Sequence, residues 1–215
     1  MRTRRFAGCC ALTVAATLTA AQAAESPVTL EASPRISGGI GLSSGEPVGL
    51  RGRVAGGESG DVVRITARQC DLTVFQLLYE THVERDGTFS GHVGALVKTD
   101  FRAEWRGKFS APVTVQARPS VRLAQVSRAR FRVEVVALRY FRQARIELQR
   151  YTGSRWVVMK RARLGRSFHA GQYLWTVGEV RAAVRKGTNV RAVLPRSQTG
   201  ACYVAGISNV LPASR

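Results

Sequence analysis

The chain has 215 residues, with 33 Lys and Arg against 14 Asp and Glu, a formal net charge of +19. Such a balance favours contact with polyanions, but charge alone speaks only to non-specific association. The basic residues are spread along the chain instead of gathering in runs, Arg greatly outnumbers Lys, and a specific nucleic-acid site is not expected.

The N-terminus reads as an export signal. Arg2, Arg4 and Arg5 precede an uncharged stretch from Phe6 to Ala20, which closes on Ala21-Gln22-Ala23, a small-x-small cleavage site. The apolar run falls short of the roughly 20 residues that span a bilayer. Cleavage is expected after Ala23, making residues 1–23 a signal peptide. Cys9 and Cys10 lie at the start of the apolar run, not at the cleavage point, so they leave with it. Leu211-Pro212 resembles a wall-sorting motif only in those two residues and lacks an apolar tail. No later segment is long and apolar enough to span a membrane. The expected location is extracellular or at the cell envelope.

The rest of the chain reads as β structure. In residues 61–68, Val63, Ile65 and Ala67 alternate with Arg64, Thr66 and Arg68, the pattern of a half-buried strand. Asp86-Gly87, between Val83 and Phe89, signals a hairpin turn. Val113 and Val115 alternate with Thr114 and Gln116, and Phe131, Val133 and Val135 with Arg132, Glu134 and Val136. Gly178 to Arg185 could form a short helix, but a strand is preferred. Arg118-Pro119-Ser120 suits a junction, because Pro lacks a backbone donor and keeps its predecessor extended. Domains are therefore expected at 24–118 and 119–215.

A degenerate repeat supports the division. Arg51, Val54, Arg64 and Ile65 match Arg132, Val135, Arg145 and Ile146 at one constant offset, which also aligns Phe75 with Trp156. At a larger offset, Thr99, Arg102 and Ala103 match Thr188, Arg191 and Ala192. Later still, Ser110 aligns with Ser208. Two insertions in the second copy, near Arg166 to Trp175 and Pro195 to Ala205, account for the changes and are expected in loops. Repeats of roughly 90 residues with about seven short strands each point to tandem Ig-like or fibronectin-like sandwiches. The expected fold is all-β, with two tandem Ig-like antiparallel β-sandwiches.

The stretches RGRVAGGESGDVVRITAR, RDGTFSGHV and DFRAEWRGKFSAPVTVQARP resemble bacterial Ig-like domains that occur in tandem in secreted and cell-surface proteins. The resemblance covers Pro47 to Pro119 and, more loosely, Phe131 to Pro195, with Trp105 as its late-strand aromatic. It implies an Ig-like sandwich and an extracellular structural or adhesive role. It carries no shared active site.

After signal removal only Cys70 and Cys202 remain. In an oxidising compartment an intramolecular disulfide is expected, which would clamp the two domains together. Two buried thiols or an intermolecular bridge are the alternatives. His82, His92 and His169 show no metal spacing, and Asp61, Asp71, Asp86 and Asp100 are read as turn residues. No nucleophile elbow, P-loop or carboxylate pair appears, so no enzyme activity, cofactor or metal is expected.

Aromatic residues give the binding candidates. Tyr140-Phe141, flanked by Arg139 and Arg142, falls between two predicted strands; Phe168, Tyr173 and Trp175 form a second group. Aromatic and Arg side chains on sandwich loops can stack on sugars or clamp acidic groups, although large aromatics also close the ends of cores. The function expected is a binding or adhesion module whose partner is a cell-wall polyanion, a glycan or an envelope protein. The alternatives are a spacer or accessory domain pair without its own ligand and, less supported, a secreted hydrolase.

Overall fold

Alternation of buried and exposed side chains builds the strands that frame the two cores, such as Val28–Ser33, Val48–Val54 and Thr99–Trp105. The computed structural model describes residues 26–34, 36–37 and 47–214. The signal-peptide reading, with Cys9 and Cys10, lies outside the described residues. No helix among the described residues is long and apolar enough to cross a membrane.

The first half contains β1 (Val28–Ser33), β2 (Ile36–Ser37), β3 (Val48–Val54), β4 (Val62–Gln69), β5 (Gln76–His82), β6 (Thr88–Val93), β7 (Thr99–Trp105), β8 (Lys108–Phe109) and β9 (Val113–Ala117). The second contains β10 (Ser120–Ser127), β11 (Arg130–Ala137), β12 (Arg145–Tyr151), β13 (Trp156–Arg163), β14 (Arg166–Ala170), β15 (Tyr173–Arg181), β16 (Asn189–Leu194), α1 (Arg196–Thr199), β17 (Gly206–Ile207) and β18 (Leu211–Pro212).

In the first half, the sheet β1-β3-β6 faces the sheet β2-β9-β7-β4-β5, with β8 attached to β7. Strand β2 runs parallel to β9, and the other pairings are antiparallel. In the second half, β10-β11-β15-β14 faces β13-β12-β16-β17, with β18 on β16. Both halves are therefore β-sandwiches. Strand β7 shows why: Thr99, Phe101, Ala103 and Trp105 point inward, while Asp100, Arg102 and Glu104 line the outside. Val63, Ile65, Phe89 and Phe101 anchor one core; Phe131, Val133, Ile146, Leu148 and Tyr203 anchor the other. Strands β5 and β13 form matching sheet edges. Each carries a one-residue bulge, at Leu78 and Met159, which blunts the edge against further pairing.

The two sandwiches are fastened at more than the connecting peptide. Lys98 N–H donates to the Cys202 carbonyl and Val204 N–H to the Ala117 carbonyl, each at 2.9 Å. Cys70 and Val97 of the first half pack against the core around Tyr203.

Three expectations are corrected and one is met in part. Asp86-Gly87 makes a tight turn, with Asp86 accepting from Thr88, but it joins β5 and β6 of opposite sheets instead of closing a hairpin. Residues Arg166–Trp175 are no loop: they form strand β14 and the start of β15, which pair and are joined by a two-residue turn at Gly171-Gln172. The strand preferred over a helix at Gly178 to Arg185 holds for Gly178–Arg181, which completes β15, and the helix among the described residues falls at Arg196–Thr199, in the second insertion. Asp100 lies within β7, where Arg68 and Thr114 bond its carboxylate, not in a turn.

Candidate functional site

Cys70 and Cys202 are joined by a disulfide, with Cα atoms 5.4 Å apart. The Asp71 carboxylate lies against both sulfurs. Because the sulfurs are bonded to one another, this cluster offers no thiolate to a metal.

The loop between β11 and β12 divides its aromatics. Phe141 is buried and meets Tyr203 edge-on, with centroids 5.9 Å apart. Its N–H donates to Thr176 Oγ1 at 3.0 Å, which holds the loop onto β15. Phe141 is thus a core residue and is withdrawn from any binding surface. Tyr140 remains exposed beneath the Arg142 guanidinium, 5.3 Å from its ring centroid, while Arg139 lies against Phe141 and Gly200. Tyr203 organises this end. Its hydroxyl accepts the Leu138 N–H, and its carbonyl accepts from Thr199 and Arg196. Burial pushes its phenol above the ordinary value of 10.0, outweighing the Leu138 hydrogen bond and the Arg139 charge. Sequence reasoning passed over Tyr203, although its position beside Cys202 marks it as part of a tethered segment.

Trp175 has a different setting. Strand register places it on the outer face of the β10-β11-β15-β14 sheet, opposite Phe168 on one side and Val136 on the other. Phe168 and Trp175 stack nearly parallel, with centroids 5.8 Å apart and planes at 12°. Phe168 is still 46% exposed. The next cross-strand row reads Arg166, Val177, Glu134 and Arg122. Tyr173, at the start of β15, accepts a hydrogen bond from Gln172 instead of joining the stack.

Beside the stack lies a cleft of about 400 Å³, lined by Arg163, Gly165, Arg166, Phe168 and Gly178, with Arg132 and Glu179 along one wall. Gly178 is needed here. A Cβ would lie 3.0 Å from the Arg163 carbonyl, so glycine lets the end of β13 approach β15. That approach brings Arg163 and Arg166 to opposite ends of one short turn. The acids nearby are already engaged: Glu134 pairs with Arg132 at 3.1 Å and Glu179 with Arg130 at 3.7 Å. Arg163 and Arg166 have no acidic partner among the described residues. A planar guanidinium offers paired donors that match a carboxylate or phosphate oxygen pair.

The outer face of the first sandwich is occupied by its own side chains. Arg102 lies between the rings of Phe75 and Phe109, 4.2 and 4.0 Å from their centroids. Arg191 covers Trp156 in the same way at 4.2 Å. His82, His92 and His169 sit on three separate strands, β5, β6 and β14.

No family model matches the chain, and no curated protein matches it. Solved structures do match. One is a crystal structure of a tetra-tandem repeat in the extending region of a large adhesion protein, at 16% identity and a TM-score of 0.32, over 87% of this chain and 50% of that one. This chain thus spans half the length of that matched chain. Another is the human OSCAR ligand-binding domain, at 16% identity and a TM-score of 0.25, over 87% of this chain and 99% of that one. Neither superposition is close enough to carry a functional reading.

Proposed function

We propose that this chain is an exported, non-catalytic binding module of the cell envelope, made of two Ig-like sandwiches at 24–118 and 119–215. The strand orders support the Ig-like reading: in each half the first two long strands and a later one (β6 or β15) form one sheet, to which the second half adds β14, and the remaining strands form the facing sheet. The Cys70–Cys202 disulfide is compatible with an oxidising, extracellular setting. The observation that carries the binding function is the Phe168–Trp175 stack, an exposed Phe168 ring backed by a half-buried Trp175 on a sheet face beside an arginine-lined cleft. Core packing does not account for it, because it lies on the side of the sheet turned away from the core.

The test is retention of the oxidised protein on its own cell-wall fraction as salt rises. Purely ionic attachment weakens steeply with salt through screening and counterion release. A specific site predicts retention at high salt that Phe168→Ala/Trp175→Ala abolishes. Loss of wild type and variant together at moderate salt would overturn the proposal.

A spacer without its own ligand is the second reading, favoured by the fastened joint between the sandwiches. It predicts no saturable binding by the purified chain and co-purification with an envelope partner.

A further inference from the structure

We infer that the cleft between β13, β14 and β15 binds an acidic sugar, its anionic group on Arg163 and Arg166 and its ring against Phe168. The inference rests on the binding-module reading and names the ligand class of the same face.

The requirements of such a ligand are met by separate features. An anionic substituent needs guanidinium groups not already neutralised. Arg163 and Arg166 are exposed and have no acidic partner among the described residues, while Glu134 is paired with Arg132 of the cleft wall and Glu179 with Arg130. Arg163 also stands opposite Arg145 across β12 and β13, so the local field at this end is positive. A sugar ring needs a flat apolar surface. Phe168 lines the cleft, is backed by Trp175 and keeps nearly half its surface open. A ring also needs space beside the charge. Gly165, between the two arginines, supplies it: a Cβ there would meet nothing within 4 Å. Its N–H is satisfied by the Val177 carbonyl at 2.9 Å, which fixes the turn that spaces the arginines. A cleft of about 400 Å³ lies within the range of small-ligand sites. A simple phosphate chain would use the arginines and leave the aromatic surface uncovered. The conjunction of ring and charge therefore favours a sugar over a bare anion.

The experiment is calorimetric titration of the full mature chain with four probes: tetragalacturonate, its carboxyl-reduced neutral form, a heparin tetrasaccharide and tripolyphosphate. The expected result is saturable binding of one or both acidic sugars that survives raised salt, with the two distinguishing carboxylate from sulfate as the favoured group. Arg163→Ala/Arg166→Ala should weaken it by at least about tenfold, the scale of hydrogen bonds to charged groups. Gly165→Leu, which fills the cleft without changing charge, should weaken it comparably. The control Arg85→Ala/Arg155→Ala removes two exposed charges elsewhere and should leave it unchanged. Thermal melts confirm that each variant is folded; if Gly165→Leu is not, the arginine pair against its control decides.

Equal binding of tripolyphosphate, or equal weakening by the control pair, would reduce the attraction to net charge and overturn the inference. Equal binding of the neutral sugar, or no binding of either acidic one, would also overturn it. If the wall fraction still retains the protein at high salt in those cases, only the ligand class fails. If retention is lost too, the binding-module reading fails with it.

Discussion

Ser110 and Ser208 hold equivalent positions in the two sandwiches and make the same hydrogen bonds. Each hydroxyl accepts an alanine N–H, from Ala103 of β7 at 3.0 Å and from Ala192 of β16 at 2.8 Å, and donates to the carbonyl of the next residue. Each serine N–H returns a bond to the same alanine's carbonyl at 2.9 Å. Both serines are buried, so alanine in either place strands a backbone donor. Ser110→Ala and Ser208→Ala are each expected to cost about 1–3 kcal/mol in urea unfolding. The sites belong to separate cores, and the double variant should show the sum. A neutral Ser208→Ala beside a costly Ser110→Ala would break the equivalence.

The stacked arginines differ in one respect that can be measured. Arg191 Nε donates to Gln149 Oε1 at 3.0 Å, whereas the buried Arg102 Nε has no partner. Methionine keeps an apolar stem over the ring in either place. Arg191→Met should therefore destabilise by about 1 kcal/mol more than Arg102→Met. Paired thermal melts test the difference, and a larger loss at Arg102 would contradict it.

Asp61 ties the turn before β4 to the end of β7. Its carboxylate accepts from Glu58 N–H, from Trp105 Nε1 at 3.1 Å and from Arg106. The Glu58 bond is the main cause holding its pKa below the ordinary 3.8; burial opposes it, and Trp105 and Arg106 add to it. A depressed carboxyl stabilises fully above its unfolded value and ceases to do so as pH falls through the folded one. Wild type should exceed Asp61→Asn in stability at neutral pH. The two should converge below about pH 3.8 in acid unfolding curves. A gap that persists at lower pH would show that charge is not its source.

Reduction of Cys70–Cys202 should lower stability by about 2–4 kcal/mol without dissolving either core. Melts with and without reductant, together with limited proteolysis around Pro195 to Ala205, would show this. An unchanged melt after complete reduction would count against the bond as a fastener.

Much of the architecture was legible because the repeat preserved physical roles. Arg102 and Arg191, like Phe75 and Trp156, align in sequence and reappear as the same stacked pair in each sandwich. Ser110 and Ser208 align for the hydrogen bonds just described. Strand β14 was unreadable for the opposite reason: four of its five side chains are exposed, so no alternation marks it. The four-residue helix is too short to show a period. Tyr140 and Phe141 look interchangeable as neighbours, and only contact with Tyr203 decides which is buried. The cleft was hidden because its walls come from β11, β14 and β15, joined by strand register, and from β13 of the facing sheet, which comes close only where Gly178 allows it.

The disulfide also determines how the molecule would answer a pull. Its cysteines stand 132 positions apart and enclose β5 through β16 in one covalent loop. Tension passed from residues before Cys70 to residues after Cys202 travels through the sulfur bridge and never loads the peptide link at Pro119. Under oxidising conditions, among the described elements only β1–β4, β17 and β18 lie on the stretched path. The second sandwich would keep its core of enclosed strands while the ends unravel, and the reach of the chain under force is capped by a single bond.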